Sequence, residues 1–286
     1  MRDLRLEILD ATPSSSGFSS VYFIKGERAA LVDAGPANGA QKVLDALRAM
    51  GEEVHYIVLT HVHIDHGGAA GTLSSALNAE VYVHPRGARH VVDTSLLWEQ
   101  SRQALGPVAE YYGEPTRVEE RKVRVAEHGE SLDLGGLRLR FLHTPGHASH
   151  HMSVLVGEDM VIAGDSAGVF VYHSLRVPTT PYPFKPKQYL KSIELMERAA
   201  PGRVYLSHFG LAGGAEYLSW HKEEIVSWLD AVAGIVRGGV ADPYQVAELL
   251  AGRLENAKKV RESRISHLYY NTVSGLTRAV LEGEWP

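Results

Sequence analysis

The chain has no cysteine among its 286 residues. That absence excludes disulfides, thiolate nucleophiles and cysteine-ligated metals, so any metal held here takes histidine and carboxylate ligands. Long apolar runs are lacking too, and nothing approaches the roughly 20 residues that a membrane span needs. The start, M-R-D-L-R-L-E-I-L-D, alternates charged with apolar residues where a secretory leader would carry an unbroken apolar stretch. A cytoplasmic protein with no membrane partner is the expectation. There is no excess of basic charge: 29 Lys and Arg against 34 Asp and Glu give a formal net charge of -5. Such a balance offers no general attraction to nucleic acid, so a small-molecule substrate is the expected partner. Hydrophobic residues at 44% and charged residues at 22% are those of an ordinary globular chain, long enough to build a core without staples.

What is present is histidine, 15 residues, and its densest cluster lies in L-T-H-V-H-I-D-H-G-G-A, Leu59 to Ala69. The cluster follows the apolar run Tyr56 to Leu59. At a strand end, side chains two apart point the same way, so His61 and His63 can grip one cation together. Asp65 and His66 fall where the backbone turns into a helix and address a second position. The spacing suits two metals side by side.

Other strand ends carry further candidates. Strands are expected at Leu4–Leu9, Val21–Ile24 and Ala29–Val32, and the last delivers Asp33 in L-V-D-A-G-P. Asp33 reads as a helix cap, as a buried carboxylate that orients a metal-binding histidine, or as both. Gln41–Met50 is helical, Tyr56–Leu59 and Glu80–His84 are strands, and Gly67–Leu77 is a small-residue helix beneath the cluster. His84 and His90 read as packing residues. Residues 93–112 are helical, either a lid over the site or an insertion packed on the core.

Strands at Arg121–Val125 and Leu137–Leu142 lead into H-T-P-G-H-A-S-H-H. Thr144 to Gly146 breaks the strand and presents His147 towards His61 and His63; His143, His150 and His151 compete for that role. After strands at Met152–Val156 and Met160–Ala163, Asp165 in A-G-D-S is placed to bridge two cations, or to serve a plain turn. Residues 166–187, with Tyr172, His173, Tyr182 and several prolines, read as an irregular substrate wall. A helix over Pro186–Ala199 precedes the expected last strand, Arg203–Leu206, which delivers His208. Beyond residue 214 three helices are expected, Glu216–Val236, Pro243–Leu254 capped by Asp242, and Ser263–Leu281. The division implied is a main domain over 1–214 and a helical extension over 215–286 packed on it. Residue patterns alone reach an α+β or α/β class with two sheets.

T-H-V-H-I-D-H at Thr60 to His66 resembles the signature of the metallo-β-lactamase-fold hydrolases. Asp33 in L-V-D-A-G, His147 in T-P-G-H, Asp165 in A-G-D and His208 in L-S-H-F-G follow in that family's order. The resemblance implies an α+β fold, the four-layer αββα sandwich, with the site at the edge between its sheets. It implies one metal on His61, His63 and His147, a second on Asp65, His66 and His208, Asp165 between them, and Asp33 behind them. The D-H pair and the bridging aspartate are similar to type II glyoxalases, lactonases and esterases. The lactamases whose second site uses cysteine are excluded, and the H-x-E-x-D of flavodiiron relatives is absent. The glyoxalase G-C-G-R-like stretch is replaced by D-S-A-G-V-F-V-Y-H, which argues against glutathione specificity.

The chemistry expected is hydrolysis by a hydroxide bridging two divalent ions, zinc first, with iron or manganese as alternatives. Asp65 and Asp165 are the carboxylates expected to take part, and a small ester, thioester or lactone is the leading substrate class. A phosphodiesterase or phosphotriesterase with the same site is the alternative. A mononuclear iron dioxygenase of the persulfide type and a non-catalytic binding protein rank behind. A homodimer is compatible with the helical C-terminal part.

Overall fold

The structure, a computed structural model, describes residues 5–171, 175–263 and 265–286. Strands form where β-branched and aromatic residues gather between turn-forming segments. β1 (Arg5–Asp10), β2 (Ser20–Lys25), β3 (Ala29–Val32), β4 (Tyr56–Val58), β5 (Glu80–Val83) and β6 (Val123–Val125) lie side by side in that order. The first three form an antiparallel meander, and β3 to β6 run parallel. A second sheet is built from β7 (Ser131–Asp133), β8 (Arg138–His143), β9 (Met152–Val156) and β10 (Met160–Ile162), which pair antiparallel in sequence. A short hairpin of β11 (Val169–Val171) and β12 (Leu175–Val177) follows, and then β13 (Arg203–Leu206) and β14 (Gly210–Gly213). β13 joins the second sheet parallel to β10, and β14 closes its edge.

Helices cover both outer faces. Six lie among the strands of the first sheet: α1 (Ala40–Met50), α2 (Ile64–Gly67), α3 (Ala70–Leu77), α4 (Ala88–Val92), α5 (Ser95–Leu105) and α6 (Pro107–Tyr112). Later come α7 (Pro186–Arg198), α8 (Ala215–Arg237), α9 (Pro243–Ala251), α10 (Glu255–Arg261) and α11 (Ser266–Leu281). α1 buries Ala40, Val43 and Leu47, one stripe at helical spacing. α9 starts with the cap that its sequence announces, the Asp242 carboxylate accepting the Gln245 N–H at 2.9 Å.

Alternation along the strands sorts the core into layers. Along β2, Tyr22 and Ile24 enter a cluster with Ala30, Val58, Phe141, Val154 and Ile162, which fills the space between the sheets. Val21 and Phe23 face the other way, into a cluster with Leu31, Ile57, Val43, Leu47 and Leu73 beneath α1 and α3. On the far side, Leu155, Val161 and Leu206 pack with Ile193, Trp228, Val246 and Leu276 from α7, α8, α9 and α11. The result is the expected αββα sandwich. Because both faces of each central strand are covered, runs such as Tyr56 to Leu59 are apolar throughout.

At one end of the sandwich the two sheets are tied by backbone hydrogen bonds. Ser20 N–H donates to the Ser207 carbonyl at 3.0 Å, and Met152 N–H donates to the Thr60 carbonyl at 2.7 Å. Tyr22, wholly buried, crosses the same seam: its hydroxyl donates to the Leu206 carbonyl and accepts the Gly210 N–H at 3.1 Å. The strand ends that carry Asp33, His61, His147 and His208 are thereby brought to one place.

Several expectations need correction. Residues 166–187 are not wholly irregular, since β11 and β12 pair there. Arg203–Leu206 is not the last strand, because Gly210–Gly213 adds an edge. β7 lies between the two strands expected around it. Among the described residues the C-terminal part holds four helices, with Glu255–Arg261 separate from its neighbours. The helix expected over Gly67–Leu77 starts at Ala70 as α3, and the separate turn α2 ends at Gly67. Residues 93–112 fold as α5 and α6, and Ile64 of α2 shares a core cluster with Ala109 and Tyr112 of α6.

Replacing Tyr22 with Phe strands the Leu206 carbonyl and the Gly210 N–H without their partner. The expected cost is about 1–3 kcal/mol of unfolding free energy, read as a lower urea midpoint at unchanged slope.

Candidate metal centre

The centre starts where β4 ends. Beyond Val58 the chain bends at Thr60, and Val62 is buried in the outer apolar layer while His61 and His63 point the other way. His61 Nε2 lies 2.9 Å from His63 Nδ1, and His147 Nε2 lies 3.2 Å from the same atom. The single turn α2 then carries Asp65 and His66. His66 Nε2 is 3.3 Å from His208 Nε2, and the Asp65 Oδ2 atom is 3.7 Å from the former and 3.5 Å from the latter. His61, His63 and His147 form one group that could hold a metal ion, and Asp65, His66 and His208 form another.

Asp165 stands between the groups. Its Oδ2 is 3.6 Å from His147 Nε2, and its Oδ1 is 3.6 Å from His66 Nε2 and 3.8 Å from His208 Nε2. Oδ1 is buried and has no hydrogen-bond partner. An unpartnered buried carboxylate oxygen is costly, and a cation at this point would satisfy it.

Hydrogen bonds behind the rings fix their tautomers. His147 Nδ1–H donates to the Thr179 carbonyl at 2.9 Å, and His208 Nδ1–H donates to the Phe18 carbonyl at 2.9 Å. His66 Nδ1–H donates to Asp33 Oδ2 at 3.0 Å. The Thr60 hydroxyl accepts from His61 Nδ1–H at 3.1 Å and donates to Asp33 Oδ1 at 2.8 Å. Each of these four rings points its Nδ1–H outward and turns Nε2 inward. Lone pairs about 3 Å apart repel unless a positive charge sits among them, so the donor set fits divalent cations with imidazole and carboxylate preference.

Charges agree with this fit. Burial and neighbouring histidines hold His61 and His63 well below the ordinary histidine range, in the neutral form that ligates. Burial would also depress His66, but the Asp65, Asp165 and Asp33 carboxylates push it up to about 10. Burial works against the charged form of Asp65, and His66 and His208 overcome it, holding that carboxyl well below the usual range. Among the described residues, Asp33, Asp65 and Asp165 form ion pairs with histidine alone. The pocket therefore gathers carboxylates without a Lys or Arg to balance them.

The seven residues expected as ligands thus converge, and Asp33 lies behind them, 1% exposed. Tyr182 does not join them: it is 49% exposed, with the Arg278 guanidinium 4.8 Å from its ring centre. Tyr172 and His173 lie outside the described residues. Of the histidines that competed with His147, His143 turns from the centre and donates its Nε2–H to the Ala126 carbonyl, 2.8 Å away. His150 lies close by, its ring centre 5.5 Å from that of His63.

His151 has a part that the sequence did not reveal. Fully buried, its Nε2 accepts the backbone N–H of Asp165 at 3.0 Å, while Nδ1 meets the Thr144 and Ser166 hydroxyls at 2.8 and 2.9 Å. It aims the Asp165 loop. Gly164, at φ 59°, leaves room for that ring, because a Cβ there would overlap His151 Nε2. The signal available was the H-H doublet after T-P-G-H. For Thr179 and Phe18, which act through carbonyl oxygens, no side-chain signal exists.

Comparisons with known proteins agree with the geometry. The family model described as the metallo-beta-lactamase superfamily matches residues 15–208. A metallo-beta-lactamase fold-containing protein of Sulfurisphaera tokodaii is 33% identical over 254 residues, which cover 87% of this chain and 92% of that protein. Its solved structure superposes with a TM-score of 0.70 at 32% identity, over 77% of this chain and 86% of that one. The structure of a metallo-beta-lactamase family protein from Thermus thermophilus gives a TM-score of 0.72 at 22% identity, over 97% and 94% of the two chains. A protein of Burkholderia pseudomallei named a probable metallo-hydrolase is 30% identical over 119 residues, 42% of this chain and 37% of that protein. With its fold, its converging histidines and these matches, the chain belongs to the metallo-beta-lactamase superfamily.

Proposed function

We propose that this protein is a two-metal hydrolase of small esters, thioesters or lactones, with zinc in both positions. The observation that carries the reading is Asp165, whose two oxygens face different histidine groups and one of which has no other partner. One position is assigned to His61, His63 and His147, the other to Asp65, His66 and His208, with Asp165 shared. Zinc suits a set made only of imidazoles and carboxylates, and the relative named a metallo-hydrolase supports the reaction class.

Bound there, two cations would lower the pKa of a water to near neutrality and polarise the substrate carbonyl. The chain's own part is positional and electrostatic. Asp65 and Asp165 offset part of the cations' charge, leaving a surplus of about two units that favours an anionic transition state. Asp33 holds His66 and, through Thr60, His61, so that neither ring can turn away. The Thr179 and Phe18 carbonyls do the same for His147 and His208.

Asp165→Asn is expected to lower metal content and turnover together; a variant with full metal and normal turnover would remove the bridging role. Asp33→Ala leaves the His66 ring and the Thr60 N–H without their acceptor and should weaken metal affinity about 10- to 100-fold, measured by chelator competition. Stripping the metal should abolish hydrolysis and lower the melting temperature, and zinc should restore both. The substrate class is tested on metal-quantified protein with p-nitrophenyl esters, lactones, S-lactoylglutathione and bis-p-nitrophenyl phosphate. Turnover of the carbonyl substrates is expected; activity on the phosphodiester alone, or one iron per chain, would overturn the assignment.

A further inference from the structure

α11 crosses the segment that follows β12 at very close range. A Cβ on Gly275 would overlap the Thr180 carbonyl oxygen and lie 3.1 Å from the Pro181 carbonyl carbon. Three residues earlier on the helix, the Thr272 carbonyl accepts the Thr180 hydroxyl at 3.0 Å. Thr180 is 0% and Thr272 1% exposed, so this contact is shut off from solvent. The neighbouring residue, Thr179, touches the metal centre twice. Its carbonyl accepts His147 Nδ1–H at 2.9 Å, and its hydroxyl donates to Asp165 Oδ2 at 3.5 Å. Thr179 also sits at φ 45°, a left-handed backbone that a β-branched residue adopts only when its surroundings impose it.

We propose that α11 is a positioning element of the metal centre: Gly275 and Thr272 clamp the Thr179–Thr180 strap at the height where Thr179 reaches both His147 and Asp165. The strap is a single segment with no strand pairing, and its two successive carbonyls face opposite partners. Thr180 presents its oxygen to the helix and Thr179 presents its oxygen to the His147 ring. A methyl group on the helix side must push the strap towards the centre or the helix away from it. Either movement alters the hydrogen bond that fixes the His147 tautomer and the donor that faces Asp165. Residues more than 60 positions beyond the last proposed ligand thereby become part of the ligand-orienting shell. This inference rests on the proposal that His147 and Asp165 hold metal.

A glycine that merely lets two backbones approach would predict a different outcome. Alanine is the better helix former, so a packing role alone changes stability and leaves the bound metal's environment as it was. The test uses full-length protein and three variants: G275A, T180V, which removes the hydroxyl donated to Thr272, and G234A as a control. A Cβ at Gly234 of α8 meets only the Arg253 guanidinium, at 3.6 Å. Metal-free protein is titrated with cobalt(II), whose visible absorption reports ligand geometry, and zinc affinity is read by chelator competition. G234A should match the wild type. G275A should bind at least about tenfold more weakly with a shifted cobalt spectrum, and T180V should move the same way to a smaller extent. A folded G275A with wild-type affinity and spectrum would overturn the proposal. Should G275A fail to fold, a T180V variant that is wild-type in both readouts would overturn it equally. Wild-type protein that takes up neither cobalt nor zinc would instead overturn the metal-centre reading and this inference with it.

Discussion

The Asp33 carboxylate is the point on which the rest of the arrangement depends. It is buried at the end of β3 and accepts from the Thr60 N–H and hydroxyl, the His66 ring and the Ser207 hydroxyl. Those donors come from the loop after β4, from α2 and from the end of β13, so one charge joins both sheets. A carboxylate withdrawn from water is costly unless donors surround it. Here they do, and every one of them belongs to a residue that is, or adjoins, a proposed ligand. The seam between the sheets and the orientation of the imidazoles are consequently not separate problems for this fold.

The electrostatics of the centre follow from the same crowding. Four rings commit their Nδ1 protons to Thr60, Asp33, Thr179 and Phe18, which leaves their Nε2 atoms turned inward and a carboxylate oxygen unpaired. A cation among these atoms would answer both defects at once. The elevated His66 shows the demand for positive charge that the carboxylates create. Burial holds other rings, His61 and His63, neutral and ready to donate electron pairs.

Much of this was legible because most of the candidate ligands follow strand ends. An apolar run followed by a polar residue marks such an end, and Asp33, His61, His147, Asp165 and His208 each stand just after one. The fold class was legible for a related reason: strands covered on both faces leave unbroken apolar runs. What escaped notice has physical causes. Gly210–Gly213, with two glycines, has almost no strand propensity and pairs only as an edge. β7 is three residues long, and the apolar spacing of α9 runs on towards α10 without a proline to mark the break. The orienting partners Phe18 and Thr179 act through backbone oxygens, which every residue possesses and no motif can advertise. His151 was weighed as a ligand when its task is to hold the Asp165 N–H.

The helices α4 to α6 enter between β5 and β6, and none of the candidate ligands belongs to them. α5 in particular has no buried residue. Leu97, Trp98 and Leu105 of α5 are nonetheless half-buried against the core cluster that holds Ile64, and both α5 and α6 touch α2, the turn that carries Asp65 and His66. The inserted helices are thus a buttress: they supply no candidate ligand, yet the turn that presents two of them leans on α5 and α6.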